Sequence, residues 1–145
     1  MEPPDTHCTL CDLHESLSLF SRAFARVGAA TLAHLLADSA HDEDFRGELI
    51  AALVEPQREA VGRTLVNARA RGDLRSDLDL SLTVDALSSL VFYRQLFGPE
   101  PLDDAEIGRA VSALLGGIAT DYDALLRASL EHDVDHAVPE RAHPE

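Results

Sequence analysis

The stretch from Leu80 to Phe97 constrains the fold more than any other part of this sequence. Its apolar residues cover most of the circumference of the helix that they would form: Leu82, Val84, Leu87, Leu90, Val91, Phe92, Tyr93, Leu96 and Phe97. A helix that is apolar nearly all round has to be buried on several sides. A chain of 145 residues corresponds to one domain, so we expect one side of this helix to contact a second subunit.

The rest of the chain also has the periodicity of helices. Between residues 9 and 28, apolar residues recur at steps of three and four, which places them on one helical face: Leu10, Leu13, Leu17, Phe20, Phe24 and Val27. Apolar residues make up 46% of the chain and aromatic residues only 5%, so the core is mostly Leu, Ala and Val, a mixture that favours helices. No strand-like alternation or internal repeat is evident. The sequence predicts an all-α bundle of about six helices.

Local signals indicate where the middle helices begin, bend and end. Asp42 is suited to the N-cap of the segment that follows it. Pro56 has no N–H and clashes with the preceding turn, so we expect a kink or break near residues 54–55. Gly72, after an Ala-Arg-Ala-Arg run, is suited to a C-terminal cap.

The last long helix is predicted from Asp104 to about Leu126. Asp103 and Glu106 have the spacing of a capping box at its start. Gly116 and Gly117 interrupt its apolar face, each at a cost of roughly 1 kcal/mol relative to Ala. The glycines indicate either a break in this helix or the close approach of another one.

The charge of the chain is unfavourable for direct contact with DNA. Its formal net charge is -14, with 12 Arg, no Lys and 26 acidic residues, and such a surface repels phosphates unless a basic patch opposes them. No apolar run approaches the roughly 20 residues of a membrane span, and the N-terminus lacks the pattern of a secretory signal. We therefore expect a cytoplasmic protein without membrane contact.

The sharpest chemical pattern is the Cys-x-x-Cys pair near the N-terminus. On a helix, Cys8, Cys11 and His14 would share one face, and thiolate and imidazole are ligands that zinc accepts. A complete site would also need His7 or a second subunit, so we favour coincidence over metal binding. A redox role is less favoured still, because that motif normally follows a strand, and two cysteines do not make a disulfide framework.

Several motifs in order point to a known family. They are AALVEPQR at 51–58, ARARGDLRSD at 68–77, VFYRQLF at 91–97 and EPLD at 100–103. Together they resemble the C-terminal regulatory domain of tetracycline-repressor-like (TetR) regulators, and the resemblance covers about four-fifths of the chain. It implies an all-α homodimer with a ligand cavity in each subunit. It also implies that the last two long helices form a four-helix bundle with those of a partner subunit.

The resemblance also sets the expected domain organisation. Members of that family carry an N-terminal helix-turn-helix, whereas Met1 here begins just after the point where it would end, so we expect no DNA binding by this chain alone. A truncation, a misassigned start and a natural stand-alone sensor remain open. We expect a flexible arm at 1–8, the regulatory domain at 9–128 and a disordered acidic tail at 129–145.

The family's cavity and interface suggest candidate site residues. The candidates for binding a small apolar effector are Phe20, Phe24, His34, Leu53, Val61, Phe92 and Tyr93. The candidates for the dimer interface are Leu87, Leu90, Val91, Arg94, Val111, Leu114, Leu115, Ile118 and Tyr122. Within an otherwise apolar helix the charge of Arg94 needs a partner, and we expect it to pair with an acid of the other subunit.

The leading functional hypothesis is an effector-sensing and dimerisation domain of a TetR-like regulator. The alternative is a stand-alone interaction module, or a small-molecule-binding protein, that pairs with an intact regulator. No nucleophile–base or paired-carboxylate arrangement can be assigned, so the sequence predicts that the protein is not an enzyme and needs no cofactor.

Overall fold

A computed structural model describes residues 5–131, which form an all-α bundle, as predicted. The elements are α1 (Thr9–Val27), α2 (Ala29–Ser39), α3 (Glu43–Leu49), a π-helical turn (Ile50–Val54), α4 (Glu55–Arg71), α5 (Leu80–Phe97), α6 (Asp104–Ile118) and α7 (Tyr122–Glu131). α3, the π-turn and α4 follow one another without a gap. If they are counted as one bent helix, the described residues form the six helices that were predicted.

α1 is the central helix of the bundle and packs against α2, α4, α5, α6 and α7. Its inward face carries Leu13, Leu17, Phe20 and Phe24, each of which is at most 1% exposed. Full burial of one such side chain is worth about 1.5–3 kcal/mol. The three- and four-residue spacing read from the sequence is therefore the spacing of the core.

Of the kink or break predicted near residues 54–55, the structure has the kink: the helix continues through a widened turn. Pro56 lies in the first turn of α4 and has no N–H to donate to the carbonyl four residues earlier. Just before it, the Glu55 N–H donates to the Ile50 carbonyl, five residues back. A π-turn of this kind adds a residue to the helix and bends it.

The predicted caps are also present. The Asp42 carboxylate accepts from the Phe45 N–H at 3.0 Å, and the Asp103 carboxylate accepts from the Glu106 N–H at 2.7 Å to form the capping box. Gly72 ends α4 in the left-handed region, with φ +87°, which glycine adopts without a Cβ penalty.

The stretch predicted from Asp104 to about Leu126 is two helices separated at residues 119–121, so of the two alternatives for Gly116 and Gly117 the break is the one present. Leu74 and Ala119 form an isolated antiparallel bridge, and the Thr120 N–H donates to the Asp73 carbonyl at 3.1 Å. The backbone of residues 118–120, which follows the two glycines, is thus hydrogen-bonded to the α4–α5 connection and does not continue α6.

α7 extends to Glu131 and so includes residues 129–131, which were expected in the tail. The remainder of that tail, 132–145, and residues 1–4 of the expected arm lie outside the described residues. Within residues 5–131, no helix has both the length and the apolar character needed to cross a membrane.

Candidate functional site

An apolar cavity of about 320 Å³ lies between the end of α1, α2, α3, the π-turn and α5. Its lining side chains are Phe24, Leu32, Leu36, Ser39, Ala40, Arg46, Leu49, Ile50, Leu53, Val54 and Phe92. Most of this lining is hydrophobic, with Arg46 as its one charged member and Ser39 as its one hydroxyl. Small-molecule sites have this makeup, in which apolar walls give affinity and a few polar groups fix orientation.

Phe24 and Phe92 form the floor of the cavity, and the ring of Phe20 packs behind them. Phe24 and Phe92 lie with ring centroids 4.6 Å apart, and Phe20 lies 4.9 Å from Phe24 and 5.6 Å from Phe92. All three pairs meet edge to face, the arrangement that aromatic quadrupoles favour. This cluster joins α1 to α5, so both helices contribute to the floor of the cavity.

The π-turn supplies the opposite wall. Ile50, Leu53 and Val54 all line the cavity, and the turn widens immediately before Pro56. Ser39, at the end of α2, donates its hydroxyl proton to the Leu36 carbonyl at 2.8 Å, which leaves the oxygen of that hydroxyl as an acceptor.

The structure brings some of the predicted cavity residues together. Phe24, Leu53 and Phe92 line the cavity, and Phe20 is fully buried behind it in the aromatic cluster. Val61 is fully buried in α4, where it belongs to the main core and not to the lining.

The other two predicted cavity residues lie elsewhere. His34 is on the exposed side of α2, and Tyr93 is 61% exposed on α5; neither is part of the lining. Sequence reasoning missed Leu36 and Ile50. The clues were the leucines of the short second helix and the apolar run that precedes Pro56.

The predicted dimer residues divide into two groups. Leu87, Val91, Val111 and Leu115 are at most 3% exposed within one subunit, so they leave no surface for a second one. Leu90, Leu114, Ile118 and Tyr122 are half-buried and pack against the same core. An α5 that is apolar nearly all round does not reveal from sequence which side faces its own subunit, and this is why Leu87 and Val91 were misplaced; Val111 and Leu115 are on the one apolar face of α6, which packs inside its own subunit.

Another stripe of α5 is uncovered. Leu82, Tyr93 and Phe97 are 66%, 61% and 74% exposed, and their spacing puts them within about 60° of one another around the helix. The rings of Tyr93 and Phe97 lie 5.7 Å apart. We call Leu82, Tyr93 and Phe97 the α5 stripe; scattered apolar residues are normal on a surface, but a run along one face indicates an interaction site.

Arg94 has its partner within the same subunit. Its guanidinium donates to both carboxylate oxygens of Glu106, at 2.9 and 3.1 Å, so the expected pairing with an acid of another subunit is wrong. The pKa of Glu106 is lowered from its ordinary value of 4.5, first by the hydrogen bond from the Asp103 N–H and then by Arg94. This contact ties the end of α5 to the start of α6.

The cysteine pair is a disulfide and not a metal site. Cys8 and Cys11 are bonded to each other at the start of α1, which leaves no thiolate to bind zinc. The Nε2 atom of His14 lies 3.0 Å from the Asp104 carbonyl oxygen. Within residues 5–131, no group of three or more His, Cys, Asp or Glu residues is arranged to hold a metal.

The described residues thus form an all-α bundle with an apolar cavity and an uncovered apolar stripe on α5. The family model described as "Tetracyclin repressor-like, C-terminal domain" matches residues 3–114. The chain belongs to this family, which confirms the resemblance read from the sequence. Regulators of this family are not enzymes, in agreement with the prediction of a non-catalytic protein.

A solved structure supports the same assignment. The crystal structure of the TetR family transcription regulator SCO0332 is 31% identical in sequence and superposes with a TM-score of 0.68. The match covers 79% of this chain and 63% of that one, so this chain spans less than two thirds of that regulator. No curated protein sequence matches the chain significantly.

Proposed function

We propose that this chain is the effector-sensing and dimerisation domain of a TetR-like transcription regulator. The observation that carries the proposal is the cavity of about 320 Å³, whose floor is built by Phe24 of α1 and Phe92 of α5. The same α5 carries the exposed stripe. One helix therefore borders both the effector and the partner subunit.

The effector is a small, mainly apolar molecule. Its apolar body displaces water from the leucine and phenylalanine walls, which is favourable in proportion to the area covered. Arg46 is the one charge in the lining, so a carboxylate at one end of the ligand would meet its guanidinium. The formal net charge of -14 disfavours the binding of anions in general. An acidic ligand would therefore depend on the guanidinium of Arg46 for its affinity.

The partner is a second copy of the chain. In such a dimer the α5 stripe packs against its own copy across a two-fold axis, which buries the exposed rings of Tyr93 and Phe97. α6 supplies small exposed residues, Ala113, Gly116 and Gly117, which permit close approach of a neighbouring helix. The four-helix arrangement of family dimers uses the two corresponding helices.

The signal is a shift in population between two arrangements of the helices. In one arrangement the π-turn and α2 are closed on α1, and in the other they are open. A ligand that binds the closed arrangement more tightly shifts the population toward it, by the difference between its affinities for the two. In a full-length regulator this changes the spacing of two DNA-reading domains. We assign no DNA contact to residues 5–131, and we propose a cytoplasmic location because transcription is regulated there.

A second candidate is a protein that pairs with an intact regulator through the same α5 stripe. The exposure of Phe97 favours it equally. The two functions differ in whether a ligand changes the pairing.

Calorimetric titration with medium-chain alcohols and acids, followed by sedimentation with and without the tightest ligand, tests the proposal. A sensor binds with saturation and changes its self-association. Failure of every ligand to bind, while the dimer persists, would favour the interaction module.

A further inference from the structure

We propose that Cys8 and Cys11 form a reversible thiol–disulfide redox site whose state sets how firmly α7 docks on α1. This inference does not depend on effector binding. It starts from the bond between the two sulfur atoms and from their place in the first turn of the central helix.

The pair is built into the start of α1. The Sγ atom of Cys8 serves as the N-cap and accepts from the Cys11 N–H at 3.3 Å. Cysteines in Cys-x-x-Cys motifs at helix N-termini have a stabilised thiolate, because the amide groups and the helix dipole favour negative charge there. Cys8 is 1% exposed and Cys11 6% exposed, so a reductant attacks the less buried Cys11, and Cys8 leaves as the thiolate.

The charged groups around the pair are neutralised by partners. The Asp12 carboxylate accepts from the backbone N–H and the hydroxyl of Thr6, at 3.0 and 2.8 Å. On the other side, Arg71 pairs with Asp73 and Asp5 and donates to the Thr9 hydroxyl at 3.0 Å. Asp12 and Arg71 are therefore held by partners of their own.

A short ring makes the bond easy to exchange. Cys8 and Cys11 are three residues apart, and a small loop constrains the unfolded chain less than a large one does. This step rests on the cytoplasmic location proposed above: disulfides in such a reducing compartment are usually transient and serve redox sensing. A bond that contributes little to global stability is suited to opening without unfolding the bundle.

The chemistry needs a dithiol reductant and a peroxide oxidant. One thiolate of the dithiol attacks a sulfur of the protein disulfide, which breaks the S–S bond and forms a mixed disulfide. The second thiolate of the dithiol then attacks its own sulfur in the mixed disulfide and releases the protein thiolate. The reductant leaves as a cyclic disulfide, and both cysteines take up a proton. In the reverse direction one cysteine thiolate attacks the peroxide O–O bond, which gives a sulfenic acid and hydroxide. The other thiol attacks that sulfur, and water leaves as the disulfide forms.

The link to α7 is the contact of Cys11 with Ser129. The Sγ atom of Cys11 lies 3.7 Å from the Ser129 Oγ atom, and both residues are buried. α7 packs mainly on α1, with Leu125 as its buried anchor. Reduction separates the sulfurs and adds a proton to each, and the freed Cys11 side chain then competes for the space that Ser129 occupies.

The test uses the full chain in redox buffers. The protein is equilibrated at graded ratios of reduced to oxidised dithiothreitol, labelled with excess N-ethylmaleimide at pH 7 without denaturant and weighed intact. We expect molecules with no label or two labels, converting together as the ratio rises, and full reversal by one equivalent of hydrogen peroxide. Amide exchange in residues 122–131 is expected to accelerate at least about tenfold on reduction.

Two variants provide controls. Cys8→Ser with Cys11→Ser removes both sulfurs, so its exchange in α7 should not respond to reductant. Leu125→Ala loosens α7 and should speed reduction of the disulfide, because Cys11 becomes accessible. The redox site is overturned if labels appear only in denaturant or if peroxide leaves two free thiols. Coupling to α7 is overturned if the pair cycles while exchange in residues 122–131 stays constant.

Discussion

The guanidinium of Arg94 binds both carboxylate oxygens of Glu106 inside one subunit, at 2.9 and 3.1 Å. Both bonds come from the same guanidinium nitrogen, so this is a charge-assisted contact, stronger than a neutral hydrogen bond, and not the parallel pair of N–H bonds of a bidentate fork. It supplies the partner that a cation in an apolar helix requires. As a result, the neighbouring α5 stripe presents apolar side chains without a competing positive charge.

Replacing Glu106 with Gln should flatten the dependence of stability on acid. The folded protein lowers the pKa of Glu106 below its ordinary 4.5, so its contribution to stability is present above pH 4.5 and disappears as pH falls through the folded value. Urea midpoints of Glu106→Gln should be lower than wild type at pH 7, and the two should converge in acid. Glu48→Gln, on an exposed part of α3, is the matched control; equal pH dependence in wild type and Glu106→Gln would contradict the prediction.

A charge on the α5 stripe should dissociate the proposed dimer. Phe97→Glu or Tyr93→Glu places a carboxylate opposite its own copy and removes an exposed ring from the contact. Since burial of one Phe is worth about 1.5–3 kcal/mol, we expect at least about tenfold weaker self-association by sedimentation velocity. Ala33→Glu, on the exposed side of α2, should leave it unchanged. Wild-type protein that stays monomeric at high concentration would refute the use of this stripe.

Filling the cavity should abolish effector binding without unfolding the domain. Leu53→Trp adds a ring to the lining from the π-turn, where the wall is half-exposed and has room to adjust. We expect loss of heat in calorimetric titrations with a ligand that binds wild type, while helicity is retained. His34→Ala lies outside the lining and should bind normally. Equal loss in both variants would assign the binding to another part of the surface.

Arg46 should decide between acidic and neutral ligands of equal length. Arg46→Gln removes the charge in the lining and keeps a polar side chain of similar reach. A carboxylate is expected to bind this variant several-fold more weakly than wild type, whereas the matching alcohol should be unaffected. If the affinities of the acid and the alcohol fall by the same factor, Arg46 supports the cavity wall and does not bind the carboxylate.

Two glycine substitutions of the same size should have opposite effects. Gly72→Ala puts a Cβ on a residue with φ +87°, which strains the cap of α4 and should cost about 1 kcal/mol. Gly47→Ala lies within α3 with open space around the added carbon, and it should stabilise by about 0.5–1 kcal/mol. Thermal unfolding of the two variants side by side checks the prediction, and a shift of the same sign in both would contradict it.

Features that depend on neighbours in sequence were predictable. Asp42, Gly72 and the Asp103–Glu106 box fix helix ends through bonds within a few residues. Pro56 located the bend for the same reason, although only the structure reveals that the bend is a π-turn.

Features that depend on distant partners were not predictable. Gly116 and Gly117 indicated a break between α6 and α7, but its exact place depends on the bond from the Thr120 N–H to the Asp73 carbonyl, at 3.1 Å. The sequence also does not show which side of α5 faces the core, because the residues on both sides are apolar. For the cavity, the aromatic floor was predicted and the α2 wall was not, since a short leucine-rich helix resembles ordinary core.

α1 is one continuous helix, with the cavity at its C-terminal end and the disulfide at its N-terminal end. Phe24 touches the cavity near its last turn, and Cys8 caps its first turn, about 24 Å away at 1.5 Å per residue. A tilt of about 5° pivoted at Phe24 displaces the position of Cys8 by roughly 2 Å, given that length. A rotation of α1 about its cavity end therefore moves its first turn farther than any atom beside the cavity.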